Sequence, residues 1–169
     1  EIAFALHLEN GEYTSGSYFS YFIWGSTQIK AEYRNAPDGV PVSSNQWFLY
    51  SDDFIGFLKR SKELGDQRTD VTYMERTGVS DMYEVIQWPN KLIGNISTGT
   101  IVWEQDFILY RYAQYYTMLA ELRYHRKDYS GALTALNTLA QRAYGKANFY
   151  TDSSAAAVRQ ALVDENLKE

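Results

Sequence analysis

The chain of 169 residues has no cysteine, two histidines and three prolines. Without cysteine there is no disulfide, no thiolate nucleophile and no cysteine-ligated zinc. His7 and His125 lie far apart in the sequence, so a nucleophilic triad or a histidine zinc site has too little to be built from. Positive charge is also scarce. Lys and Arg number 16 against 21 Asp and Glu, for a formal net charge of −5. No basic cluster exceeds the short runs at 59–62 and 126–127. A nucleic-acid partner needs a concentrated basic patch, so that class is excluded. No apolar run approaches the roughly 18 residues that mark a spanning helix. Also missing are a glycine-rich phosphate loop ending in Lys-Ser/Thr, a Gly-x-Ser-x-Gly elbow, a His-Glu-x-x-His pair and a calcium loop of alternating carboxylates. The chain is expected to be no enzyme, with no cofactor and no metal.

Aromatic residues are abundant: 15 Tyr, 8 Phe and 4 Trp within a hydrophobic fraction of 45%. That fraction suits an ordinary globular core. Many of the rings crowd into an irregular stretch from Asn10 to Gln46 and just beyond, with Tyr13, Tyr18, Phe19, Tyr21, Phe22, Trp24, Tyr33 and Trp47. Gly11, Gly16, Gly25 and Gly39, with Pro37 and Pro41, punctuate it. A loop this long is usually functional or disordered, and so aromatic a segment does not read as disordered. Two readings stay open: the rings pack the loop against the rest of the protein, or they form a ligand platform. Tyr and Trp offer a flat apolar face with a polar tip, which suits the faces and hydroxyl rims of sugars. On the second reading Tyr18, Tyr21, Trp24 and Trp47 are the stacking candidates, with Asn45 and Gln46 as hydroxyl partners. Trp88 and Trp103 are expected in the core.

Residues Glu1–Leu8 alternate, with Ile2, Phe4, Leu6 and Leu8 on one side and His7 on the other, as in a half-buried strand. Ser51–Leu64 reads as a helix. Ser51 or Asp52 caps it, Phe54, Phe57, Leu58 and Leu64 form its apolar face, and Gly65 ends it. Asp52 and Asp53 suit the positive helix end. As a catalytic pair they fail, because helix neighbours point about 100° apart and glycosidase carboxylates must converge across a cleft. Val71–Arg76 and Met82–Trp88 alternate like two short strands of a hairpin or sheet edge.

The stretch Glu104–Ala143 reads as two antiparallel helices joined by a short charged linker. Leu109, Tyr112, Ala113, Tyr116, Leu119 and Ala120 share one face of the first. Tyr129, Ala132, Leu136, Leu139, Ala140 and Ala143 share one face of the second. Large, apolar and small residues fall in the order of a tetratricopeptide repeat, with Ala120 and Ala132 at the small positions. Asp152 or Ser153 is expected to cap a third helix. On its face Val158, Ala161 and Leu162 lie in line with Glu165. A carboxylate on a buried stripe needs a partner, and Arg111, which interrupts the first helix, is the candidate for a structural ion pair with it.

These motifs, taken in order, resemble the C-terminal region of the SusD/RagB family. The matching residues are Asp106, Arg111-Tyr112-Ala113, Ala120-Glu121, Leu136-Asn137, Arg142-Ala143 and Glu165. Asn166 departs from the pattern, standing where the family usually has Arg. The resemblance runs from about Asp106 to the end. Upstream it is looser, resting on the opening strand and on Asp66-Gln67-Arg68, a turn beside the family's helical core. It implies a C-terminal part of a longer nutrient-binding lipoprotein on the outer-membrane surface of a Gram-negative bacterium. Such a protein captures oligosaccharide without catalysis and acts as the lid of a SusC-like TonB-dependent transporter. Any lipid anchor would lie outside this segment.

The fold expected is mostly α (α+β): a tetratricopeptide-like helical hairpin with long irregular aromatic-rich loops and a few short strands. Residues 1–169 are expected to form a single partial domain, strand- and loop-rich over 1–103 and helical over 104–169. Two alternatives remain open. One is a peptide-binding member of the same family. The other is a tetratricopeptide-type interaction module that docks a protein on its helices and buries the aromatic loop.

Overall fold

The computed structural model describes residues 2–6, 20–36, 38–43, 48–91, 93, 95–97, 99–102 and 107–169. The strands are β1 (Ile2–Leu6), β2 (Trp24–Gly25), β3 (Val42–Ser43), β4 (Tyr73–Thr77), β5 (Val85–Pro89), β6 (Asn95–Ser97), β7 (Thr100–Val102) and β8 (Phe107–Arg111). The helices are α1 (Asp52–Glu63), α2 (Thr69–Thr72), α3 (Tyr112–His125), α4 (Tyr129–Tyr144) and α5 (Ala155–Lys168). The fold is thus mostly helical α+β, with strands paired in small two-stranded sheets. No helix among the described residues is long and apolar enough to cross a membrane. The chain forms two compact units, one from residues 1–5, 58–69 and 108–169, the other from 6–57 and 70–107. The change from strand-rich to helical near residue 103 is therefore only part of the division. Residues 58–69 also belong with the helices.

In the helical unit α3, α4 and α5 pack on one another. Alanines make this possible. Ala120, Ala132, Ala135 and Ala161 are all at most 3% exposed, so the helix backbones approach closely while Leu136 and Val158 fill the gaps, with Tyr116, Leu119 and Tyr129 packed against them. Local chemistry sets the helix ends. The Asp128 carboxylate accepts from the Gly131 N–H at 2.9 Å, satisfying one of the free amides of the first turn of α4. Gly145 closes α4 at φ 68°, a left-handed conformation that glycine adopts without a Cβ clash. At α5 the cap is Ser154, one residue later than expected. Asp152 instead accepts from the Ser154 N–H at 2.8 Å and shapes the approach.

The first helix of the hairpin also starts later than its periodicity implies. Leu109 lies in β8, which pairs with β1. The run Ile108-Leu109-Tyr110 suits a strand, and a helix-period reading of so short an apolar run is ambiguous.

In the strand-rich unit β4 and β5 form the expected antiparallel hairpin, with Met74 opposite Trp88. β2 and β3 run parallel, with Trp24 opposite Val42. Trp24, Ile29, Val40, Val42, Val79, Ile86 and Trp88 make this unit's core. Trp88 is thus interior as expected, while Trp103 lies outside the described residues. Gly39 closes a tight loop beneath this core. The Val40 N–H donates to the Tyr33 carbonyl at 2.7 Å, and a Cβ on Gly39 would come within 2.2 Å of that same carbonyl oxygen.

Candidate functional site

Of the residues expected to bind a ligand, Tyr18, Asn45, Gln46 and Trp47 lie outside the described residues. Tyr21 is half-buried in a short 3-10 turn over Ser20–Phe22. Its carbonyl accepts from the Phe48 N–H at 3.1 Å. That bond draws Phe48 beside Phe22, with ring centroids 5.5 Å apart. Phe48 and Leu49 are exposed, so this corner presents apolar surface. Trp24 differs from expectation. It is 7% exposed, and its indole N–H donates to the Gln87 carbonyl at 2.7 Å. With its polar tip satisfied inside and its ring in the core, it cannot offer a stacking face. The outward ring next to it is Tyr83, 5.0 Å away between centroids and 42% exposed.

Next to Tyr83 in sequence, Met82 and Asp81 form one wall of a polar pocket of about 360 Å³. Residues 27–32 and Arg34 form the rest. Cross-links hold the two walls together. Ser80 Oγ donates to the Gln28 carbonyl at 2.6 Å and accepts from the amides of Met82 and Tyr83 at 3.1 and 3.3 Å. The Lys30 N–H donates to the Val79 carbonyl at 3.0 Å. Lys30 Nζ reaches the Gly78 carbonyl at 3.1 Å and the Asp81 carboxylate at 3.2 Å. Gln28 Oε1 accepts from the Gly25 N–H at 3.0 Å. The pocket is therefore preformed and carries donors and acceptors of both charge signs. Its volume falls within the roughly 300–1,000 Å³ of small-molecule sites. Sequence reading passed over it, because its walls lie some fifty residues apart and share no motif.

The helical unit holds a second group of polar side chains, and these are structural. Glu165 is 0% exposed, as its place on the α5 stripe implied. Its guanidinium partner is Arg68, at 2.9 and 3.2 Å, and not Arg111. Arg111 stands at the N-cap of α3, where its N–H donates to Gln114 Oε1 at 2.9 Å. Arg68 gains its position because the turn before it is docked, with the Gln67 N–H donating to the Ala143 carbonyl at 3.0 Å. The same guanidinium forks onto Asp66 at 2.9 and 2.8 Å and reaches Glu169 at 2.8 Å. Arg142 also pairs with Glu169. Tyr150 donates to Glu165 at 2.7 Å, and Lys168 lies 3.5 Å from it while donating to the Tyr144 hydroxyl at 2.7 Å.

Burial pushes the Asp66 carboxyl up, but the hydrogen bonds and charge of Arg68 outweigh this and hold it below its usual value. Glu169 behaves alike. Burial raises it, and Arg142 and Arg68 more than compensate. The Tyr150 hydroxyl is pushed far up by burial and by the charge of Glu165. Groups so paired are fixed in one protonation state at neutral pH and offer no poised acid or base.

The helical unit has an apolar side as well. Tyr112, Tyr115, Met118 and Leu122 of α3 are each more than half exposed and follow one another at helical spacing. Near the end of α3 a groove of about 400 Å³ runs between α3 and α5, with Tyr124, Val163 and Leu167 in its walls.

Comparison with protein-family models finds no match, and comparison with curated proteins finds none either. Among solved structures the chain is similar to a SusD superfamily protein from Bacteroides fragilis. The likeness has a TM-score of 0.72 at 22% sequence identity and covers 99% of this chain and 37% of that one. The two share a fold over that stretch, and the chain spans little more than a third of the length of the structure it matches.

Proposed function

We propose that this chain, which has the fold of part of a SusD superfamily protein, belongs to a non-catalytic binding protein that captures oligosaccharide. The protein sits at the outer-membrane surface, anchored by lipid outside this segment, and passes its ligand to a SusC-like TonB-dependent transporter. The shared fold over 99% of the chain is the observation that carries this reading. Two features of the strand-rich unit support it. One is the preformed polar pocket beside the exposed Tyr83. The other is the apolar corner where Phe22, from the aromatic segment, meets Phe48 just beyond it. Tyr18, Tyr21 and Trp47 supply stacking faces, with Asn45 and Gln46 as hydroxyl partners. Affinity comes from ring stacking and a few hydrogen bonds, without a covalent step.

Intrinsic tryptophan fluorescence, titrated with a panel of oligosaccharides and peptides, tests this. A saturable shift with a glycan that disappears in Trp47→Ala and weakens in Tyr21→Ala is expected. A response to peptides alone would move the protein to peptide capture.

One observation favours a second reading, a tetratricopeptide-type module that docks a protein. Within the exposed apolar stripe of α3, Tyr115, Met118 and Leu122 have the i, i+3, i+7 spacing of a helix that packs on a partner. Tyr115→Glu with Met118→Glu would abolish complex formation with a protein partner on that reading and leave glycan binding intact.

A further inference from the structure

We infer that the pocket walled by 27–32, Arg34 and 81–82 is a subsite for an uncharged, hydroxyl-rich sugar unit, with Glu32 and Arg34 as its specificity-determining residues. The inference rests on the glycan-capture reading and names the class of ligand. Its physical basis is the charge balance of the walls. Two cations, Lys30 and Arg34, face two anions, Glu32 and Asp81. Lys30 is already engaged with Asp81 and with the Gly78 carbonyl, so this pair cancels and stiffens the rim. Glu32 and Arg34 remain. Arg34 is tethered through Nε to the Ile29 carbonyl at 2.7 Å. Its two terminal nitrogens have no hydrogen-bond partner among the described residues, nor does the Glu32 carboxylate two positions earlier, in the 3-10 turn that Arg34 follows.

A guanidinium held at Nε presents a fixed donor fork, and an ionised carboxylate only accepts. Both line the same pocket, and together they match a vicinal diol, in which each hydroxyl both donates and accepts. One hydroxyl donates to Glu32 while accepting from Arg34, and its neighbour accepts from the other guanidinium nitrogen. The Thr27 hydroxyl at the same wall adds a further donor and acceptor. With Lys30 and Asp81 engaged with each other, a uronate would gain Arg34 but set its carboxylate against Glu32, and an amino sugar would gain Glu32 but set its ammonium against Arg34. Either like-charge contact is repulsive in a partly enclosed site. The exposed Met82 and Tyr83 beside the pocket supply apolar surface for the sugar's C–H face.

Isothermal titration calorimetry on the full chain decides the matter. The probes are neutral gluco-, manno- and xylo-oligosaccharides, oligogalacturonates and deacetylated chito-oligosaccharides, against the parent, Glu32→Gln and Arg34→Gln. Glu32 is exposed and makes no hydrogen bond among the described residues, so Glu32→Gln is expected to keep the parental melting temperature, while Arg34→Gln loses its bond to the Ile29 carbonyl and is expected to melt slightly lower. At least one neutral oligosaccharide should bind best, and each substitution should weaken it about tenfold, as expected for a lost charge-assisted hydrogen bond. If both variants bind neutral glycan as the parent does, the subsite is refuted while glycan capture stands. Preference for the galacturonates or the amino sugars refutes the charge-balance reasoning. If no member of the panel binds, both the subsite and the glycan-capture reading fall.

Discussion

Replacing Arg68 with methionine should be the most damaging single change in the helical unit. Methionine keeps an apolar stem in place of the arginine's and removes the charged guanidinium. The change strips a guanidinium from three carboxylates whose side chains are almost fully enclosed: Asp66 at 1%, Glu165 at 0% and Glu169 at 6% exposure. Glu169 keeps Arg142. Glu165 keeps the Tyr150 hydroxyl at 2.7 Å and Lys168 at 3.5 Å, which is weaker than the two short contacts it loses. Asp66 loses its fork of 2.9 and 2.8 Å. Breaking a buried ion pair by removing one partner costs about 3–5 kcal/mol, out of a usual total near 5–15 kcal/mol. For a chain of this size each kcal/mol lowers the melting temperature by about 2–4 °C, which gives a fall of about 6–20 °C. Thermal denaturation followed by far-UV circular dichroism at neutral pH measures it. Arg68→Lys should fall in between, because an ammonium cannot fork onto two carboxylates at once. Arg111→Met, at a helix cap away from Glu165, should cost under about 1 kcal/mol. The reasoning is refuted if Arg68→Met melts within about 2 °C of the parent, or if Arg111→Met is equally destabilised.

Two further outcomes follow from the same structure. Asp66 and Glu169 have carboxyl groups held below their usual values. Groups depressed in the folded state contribute stability above their unfolded values, near 4, and lose it as pH falls through the folded ones. Urea unfolding of the parent should thus show stability falling as pH drops below about 4, with a shallower fall in Arg68→Met. Gly39→Ala should destabilise the strand-rich unit by about 1–3 kcal/mol, because the new methyl would press on the backbone oxygen of Tyr33. Chemical denaturation monitored by tryptophan fluorescence checks this, and parental stability would show that the 33–40 turn relaxes freely.

Much of the fold was legible because its signals are local. The spacing of Ala132, Leu136, Leu139, Ala140 and Ala143 specifies the buried face of α4, and that of Val158, Ala161, Leu162 and Glu165 specifies the buried face of α5. A periodicity of 3.6 places such residues on one side of any helix, whatever lies opposite. The alternation leading to Trp88 likewise marks a strand and its inward side. The ordered motifs from Asp106 onward pointed to the fold that the solved structure then matched. Chain topology decided the rest. Glu165 announces by its place on an apolar stripe that it needs a cation, but its periodicity says nothing about which one. Arg68, 97 residues away, meets it because the turn at Gln67 docks on the end of α4. Trp24 reads as one ring among many in an aromatic stretch, and only the carbonyl of Gln87 across the core turns it inward. The polar pocket exists because Ser80 Oγ finds the carbonyl of Gln28, 52 residues upstream. Periodicity determines which face of an element is apolar, since it depends only on near neighbours. Pairing between distant polar groups depends on how the elements close on one another, and that is settled only when the core packs.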